Sequence, residues 1–147
     1  MKKTKKGFTI IELLVVLAII AVLSTLGLTF FSTAATKGRD SRREQDIKEI
    51  QNMLALYANN RGGYPVCNPE IVVNGTTDCL SVALIGEGSA VSTPKDPRYG
   101  VGTGGCGSAD FFEYCYVSTN GQNYTLRYLL ETDSIYGKSQ GWNSATP

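Results

Sequence analysis

The 147-residue sequence predicts an α+β chain, with one long N-terminal helix followed by a small antiparallel sheet. Three observations carry that reading. Residues 8–31 (FTIIELLVVLAIIAVLSTLGLTFF) hold one charged side chain in 24. Ile47, Ile50, Leu54 and Tyr57 then recur at helical spacing within residues 40–60. Beyond Pro65 the pattern changes to short runs between turn residues, among them two alternating aromatic segments, 111–117 and 124–130. So much apolar sequence in one segment leaves only a small core for the remainder.

Composition narrows the function. There is no histidine, which excludes Ser-His-Asp and Cys-His catalysis and every histidine-containing zinc site. The formal charge of +1 hides an asymmetry, because Lys2, Lys3, Lys5 and Lys6 supply four of the 14 basic side chains. The remaining ten face 13 acidic ones, net −3, which is not the balance of a nucleic-acid-binding domain.

The first thirty residues have two ordinary readings. A secretory signal peptide carries an apolar run of about 7–15 residues, and this one is too long. A plain anchor is long enough, since 24 helical residues rise about 36 Å against a hydrocarbon core of about 30 Å. Neither reading explains Glu12. A carboxylate at mid-membrane costs about 2.5–3.5 kcal/mol on insertion scales, so such a residue usually has a function and a partner. Were the chain cut after Gly7, the new amine of Phe8 would lie close to Glu12 along the helix, and the two charges would neutralise each other.

The apolar stripe of residues 40–60 predicts an amphipathic continuation of the helix, with Arg42, Arg43, Lys48, Glu49 and Asn52 mostly off the stripe. Asn59-Asn60-Arg61-Gly62-Gly63-Tyr64-Pro65 predicts its end. A continuous helix from Phe8 to Asn60 would span about 80 Å, bending at Gly27 or Gly38 without a break. Residues 65–84, with Ile71-Val72-Val73 and an Asn74-Gly75 turn, read as short strands. Residues 86–92 read as loop, Thr93-Pro94-Lys95-Asp96-Pro97 as a rigid turn, and 98–107 as a glycine-rich loop without a phosphate-binding pattern. In the aromatic hairpin, a three-residue loop Thr119-Asn120-Gly121 would pair Phe112 with Tyr128, Tyr114 with Leu126 and Tyr116 with Tyr124. It would also set Glu113 opposite Arg127 and place Gly121 in the left-handed position of a bulge. Packing of this face on the helix is favoured over sugar binding.

All four cysteines, Cys67, Cys79, Cys106 and Cys115, follow the apolar segment. That is the usage of a small domain in an oxidising compartment. Three pairings are open. Cys67–Cys79 and Cys106–Cys115 are favoured because each closes a short local loop, and the lack of C-x-x-C spacing argues against zinc.

The run Lys5-Lys6-Gly7-Phe8-Thr9-Ile10-Ile11-Glu12-Leu13 resembles the prepilin peptidase site of type IV pilins and type II secretion pseudopilins. Asp46-Ile47-Lys48-Glu49-Ile50-Gln51, Gly63-Tyr64-Pro65 and Pro94-Lys95-Asp96-Pro97 before an aromatic hairpin are similar to the major pseudopilins. The resemblance implies that residues 1–7 are a basic leader removed after Gly7, and that the new N-terminal Phe8 is N-methylated. It implies that 8–31 is a transmembrane and assembly helix with Glu12 as its assembly residue. Residues 32–61 would continue that helix, and 62–147 would form a small β-rich extracytoplasmic domain, the lollipop shape of those proteins. The absence of a proline from the apolar helix departs from many major pilins.

The implied function is a structural filament subunit, of a type IV pilus-like or type II secretion-like filament, with no catalytic residues of its own. The implied partners are copies of itself and related pilins, the prepilin peptidase, an assembly platform protein and an ATPase. Its place would be the bacterial cytoplasmic membrane, N-terminus inside, and then a periplasmic or cell-surface filament, with no direct nucleic-acid binding. Some relatives bind calcium in a C-terminal loop. Here Asp133, Asn143 and nearby carbonyls are the available oxygens, but no run of spaced acidic residues appears, so no cofactor or metal site is expected. The alternative is a single-pass anchored domain that binds an extracellular ligand through its tyrosine-rich face and never polymerises.

Overall fold

The structure, a computed structural model, describes residues 7–147, and within them the side chains of all but residues 26–29. The elements run in the order α1 (Ile10–Arg61), β1 (Cys67–Val72), α2 (Cys79–Gly86), β2 (Cys115–Ser118), β3 (Thr125–Leu130) and β4 (Gly141–Ala145). Contacts divide the chain into two units, one ending at Ala35 and one comprising Thr36–Pro147.

α1 contributes to both units. No proline interrupts its 52 residues, and it stops where the sequence supplies glycine. Gly62 has φ +76°, and its N–H donates to the carbonyl of Ala58 at 2.8 Å. Within the first unit every described side chain of residues 10–25 and 30–35 is exposed.

The second unit is built on the other half of α1. Ile47, Ile50 and Leu54 are buried against Val73, Leu80, Leu84 and the even-numbered side chains in or just before β2 and β3, Tyr114, Tyr116, Tyr124, Leu126, Tyr128 and Leu130. The sheet has four strands in the order β1-β2-β3-β4, all antiparallel. Its β1–β2 register shifts between Cys67 and Ile71, where Pro69 has no N–H to give the ladder.

Four sequence expectations need correction. Residues 79–86, read as part of a strand region, form a helix. Asp78 caps it, accepting the Ser81 N–H at 2.9 Å and the Asn74 N–H at 2.9 Å, while Leu80 and Leu84 are buried below. The tail contains a strand, β4, that no alternation announced. The hairpin register is Tyr116 with Leu126 and Cys115 with Arg127, two residues away from the expected one. Bonds outside the ladder hold the wider loop. The Ser118 hydroxyl donates to the Asn123 carbonyl at 2.7 Å, and the Tyr64 N–H donates to the Gly121 carbonyl at 2.7 Å. Gly121 is left-handed, φ +73°, and a Cβ there would lie 3.0 Å from the Tyr64 carbonyl oxygen. A slip of two residues keeps even positions on one face, which is why the core assignment survives the wrong loop length. Glu113 accordingly does not meet Arg127. It accepts the Gly100 N–H at 3.3 Å, while Arg127 forms a fork with Glu70.

The fourth correction is Arg43, which is not on the solvent side but 0% exposed. Its Nε and Nη2 donate to Asp96 at 2.6 and 3.0 Å, and its Nη1 donates to Asp40 at 2.8 Å and Glu131 at 2.7 Å. Arg39 adds a second fork to Glu131, at 2.6 and 2.7 Å. Phe112 lies against both Arg43 and Arg98, whose guanidinium carbon is 3.9 Å from the ring centroid. Burial works against the charge of Arg43, but bonds and charge from Asp96, with bonds from Glu131 and Asp40, hold its pKa above the ordinary value. The bond from Arg39 leads in drawing Glu131 down to about 2, reinforced by Arg43. This cluster ties α1 to the Pro94–Pro97 turn and to the end of β3.

Candidate functional site

The chemistry-bearing segment begins at Gly7, and Lys2, Lys3, Lys5 and Lys6 lie outside the described residues. Gly7 and Phe8 precede the helix and are exposed, Phe8 at 73%. Ile10 opens α1 because Thr9 and Glu12 cap it reciprocally. The Thr9 N–H and hydroxyl donate to one carboxylate oxygen of Glu12 at 2.8 and 2.6 Å, and the Glu12 N–H donates to the Thr9 hydroxyl at 3.3 Å. This is a capping box, Thr9-x-x-Glu12. It uses helix-start donors that hydrocarbon could not satisfy, and it places a negative charge at the positive end of the helix dipole. Sequence reasoning gave Glu12 only the Phe8 amine as a partner and missed Thr9, although the Ser/Thr-x-x-Glu spacing was legible.

Phe8, Ile11, Val15 and Val16 line an open apolar groove along the helix face, with Glu12 in its lining. The helix has a window of 18 residues with mean hydropathy 2.7, none of it buried in the fold, and is long and apolar enough to cross a membrane. Apolar surface of this extent on a folded chain marks a membrane or protein contact.

The cysteines lie apart from this segment, in the second unit. Cys67 is bonded to Cys79 and Cys106 to Cys115, and no described cysteine is free. The first bridge fastens β1 to the start of α2, and the second holds the glycine-rich loop to β2. Tyr114, Tyr116, Tyr124 and Tyr128 are buried, so the tyrosine face that a ligand-binding alternative needs is the core itself. Tyr114 donates to Asp46 at 2.8 Å, and burial raises both groups above their ordinary pKa.

The oxygens considered for calcium do not fit a cation. Asp133 accepts the Gln140 N–H, and the Asn143 amide donates to the carbonyls of Ser139 and Gly141 at 2.7 and 3.0 Å. A nitrogen donor therefore faces the carbonyls that a calcium ion would need, whereas calcium takes about 6–8 oxygens. Among the described residues, no group of three or more His, Cys, Asp or Glu could hold a metal.

Residues 2–28 match the family described as the prokaryotic N-terminal methylation motif. The chain is also 29% identical, over 96 residues, to the type II secretion system core protein G of Escherichia coli (strain K12). That match covers 63% of this chain and 66% of the relative, just under two thirds of its length. No solved structure matches. The motif match runs into the apolar helix, which precedes the small antiparallel sheet. Both matches make the chain similar to the type IV pilin and pseudopilin family.

Proposed function

We propose that the protein is cleaved after Gly7 by a prepilin peptidase, N-methylated on Phe8, and polymerised through α1 into a type IV pilus-like or type II secretion-like filament. The single observation that carries this reading is the exposed Gly7-Phe8 junction followed by a capped carboxylate and an apolar helix with no cover of its own. Before assembly the lipid bilayer covers that helix, with the N-terminus in the cytoplasm and residues 62–147 outside. After assembly the helices of neighbouring subunits cover it. Copies of the chain and related pilins are the filament partners, with a platform protein and an ATPase driving extraction from the membrane.

Glu12 selects register. The capping box holds its charge at tolerable cost in the membrane, and the Phe8 amine of a correctly staggered neighbour neutralises it in the filament. A mis-staggered subunit leaves a buried charge without its ion partner. The test has two arms. Intact mass and N-terminal sequencing of protein from its native membrane should show loss of Met1–Gly7 and one added methyl on Phe8. A full-length chain from cells with an active peptidase refutes the processing step, as does cleavage near Ala35. Glu12→Leu should leave cleavage and insertion intact while sheared-filament yield falls sharply. Normal filament yield would show that apolar packing alone drives assembly.

A further inference from the structure

We propose that the buried carboxylate of Asp40 pins the loop between β3 and β4, residues 131–140, to α1, and that this side chain holds the loop without a divalent cation. Asp40 is 0% exposed. One oxygen accepts the Glu131 N–H at 2.9 Å and Arg43 Nη1 at 2.8 Å. The other accepts the Thr132 N–H at 2.8 Å and the Thr132 hydroxyl at 2.7 Å. Four donors thus fill a carboxylate with about four acceptor sites. Three of them come from the loop, some ninety residues along the chain, so the bonds fix tertiary position as well as charge.

The far side of the loop is closed on itself. Asp133 accepts the Gln140 N–H, and the side-chain amide of Asn143 in β4 donates to the Ser139 and Gly141 carbonyls. Asp133 Oδ1 and the Ser139 carbonyl thus already hold N–H donors, and the loop's other carboxylate, Glu131, is held by arginines. What a metal supplies in such a loop is a common centre for oxygens. Here the common centre is an anion, and the groups around it are donors. The pinned loop keeps β4 in register with β3 from Leu130–Gly141 to Leu126–Ala145. Every group involved lies in Thr36–Pro147, so the inference stands or falls independently of processing and filament assembly.

Tyr136, entirely exposed in this loop, is the reporter. The full-length protein in detergent micelles is digested with chymotrypsin, and cleavage after Tyr136 is timed by mass spectrometry. Cleavage after Tyr99, in a different loop, is the control. The wild-type rate after Tyr136 should be the same in EDTA and in millimolar calcium chloride. Asp40→Ala should raise it at least about tenfold, because charge-assisted bonds that close the loop are lost. Thr132→Val removes only the hydroxyl bond and should raise it a few fold, which keeps the test open if Asp40→Ala does not fold. Slower cleavage in calcium overturns the proposal. So does an unchanged rate in either variant, or an equal rise after Tyr99, which would mark general unfolding.

Discussion

Glu12 and Asp40 are both carboxylates on α1 and both accept backbone N–H groups, but the groups come from different distances. Glu12 takes its N–H from Thr9, three residues earlier in the same helix start. Asp40 takes its own from Glu131 and Thr132, 91 and 92 residues away. Among the described residues of the first unit, ending at Ala35, the one charged side chain, Glu12, is satisfied locally and the apolar side chains are exposed. The second unit, Thr36–Pro147, gathers Asp40, Arg43, Asp96 and Glu131 beside its apolar core. A charge satisfied by its own turn is free to change surroundings, from lipid to a neighbouring helix. A charge satisfied by distant loops holds one fold in place.

The comparison breaks most easily at Arg43. Arg43→Ala should destabilise the second unit by about 3–5 kcal/mol, since removing one partner leaves buried carboxylates uncompensated. Trp142 is the one tryptophan in the sequence, and its indole N–H donates to the Ser108 carbonyl at 2.9 Å. Its fluorescence during urea unfolding in micelles measures the loss. Glu12→Leu, read by the same signal, should leave the midpoint unchanged. A shift with Glu12→Leu as large as that with Arg43→Ala would erase the contrast between the two carboxylates.

The next effect is covalent. Replacing Cys67 and Cys79 together by serine should cost about 2–4 kcal/mol, again read at Trp142. An unchanged unfolding curve would show that the Arg43 cluster and the core suffice. A loss confined to the second unit would sharpen the division at Ala35 and Thr36.

The same difference in distance decides what the sequence revealed. The apolar run, the Gly7-Phe8 junction, the helix stop at Gly62 and the even-numbered face of the hairpin are all local patterns. The Arg43 cluster is not. Its positions were nonetheless on the stripe: 40, 43, 47, 50, 54 and 57 continue the spacing of Ile47, Ile50 and Leu54, and charge alone argued for the solvent side. What buries Arg43 is Asp96 and Glu131, and no spacing along α1 shows them. The α2 helix was missed although Asp78 is a good cap with Leu80 and Leu84 behind it, because the Val-rich run just before it favoured strand. The hairpin loop was misread because its length depends on a bond to Tyr64, far upstream.

Acid should separate the units more gently. The pKa of Glu131 falls from 4.5 to about 2 on folding, chiefly through the Arg39 bond. A lowered carboxyl pKa contributes stability that is present above pH 4.5 and lost as the pH falls towards 2. Asp46, raised by burial, runs the other way and softens the slope. The net loss across that window should be about 1–2 kcal/mol once solvent screening at the partly exposed Arg39 is counted. Urea midpoints of the Trp142 signal, measured across the window, test this. Glu131→Gln should flatten the slope, and an unaltered slope would assign the acid sensitivity to other groups.

The smallest effect belongs to Thr9, and it isolates the local half of the comparison. Thr9→Val removes the hydroxyl that donates to Glu12 at 2.6 Å and accepts its N–H at 3.3 Å, but keeps the Thr9 N–H bond. Loss of a cap hydroxyl costs about 0.5–2 kcal/mol at a helix start. The lower end is expected here because half of the box remains. Thr9→Ser keeps the hydroxyl and should change little. Amide hydrogen exchange in micelles reads the effect directly. The amides of residues 12 and 13 should lose protection in Thr9→Val, while those of Ile47, Ile50 and Leu54 stay as they were. The Trp142 unfolding curve should not move, because the bonds of the box run between Thr9 and Glu12. Loss of protection at Ile50 would mean that a change at the first turn reaches the second unit through the helix. Glu12 and Asp40 would then be parts of one device and not two independent answers to the same problem.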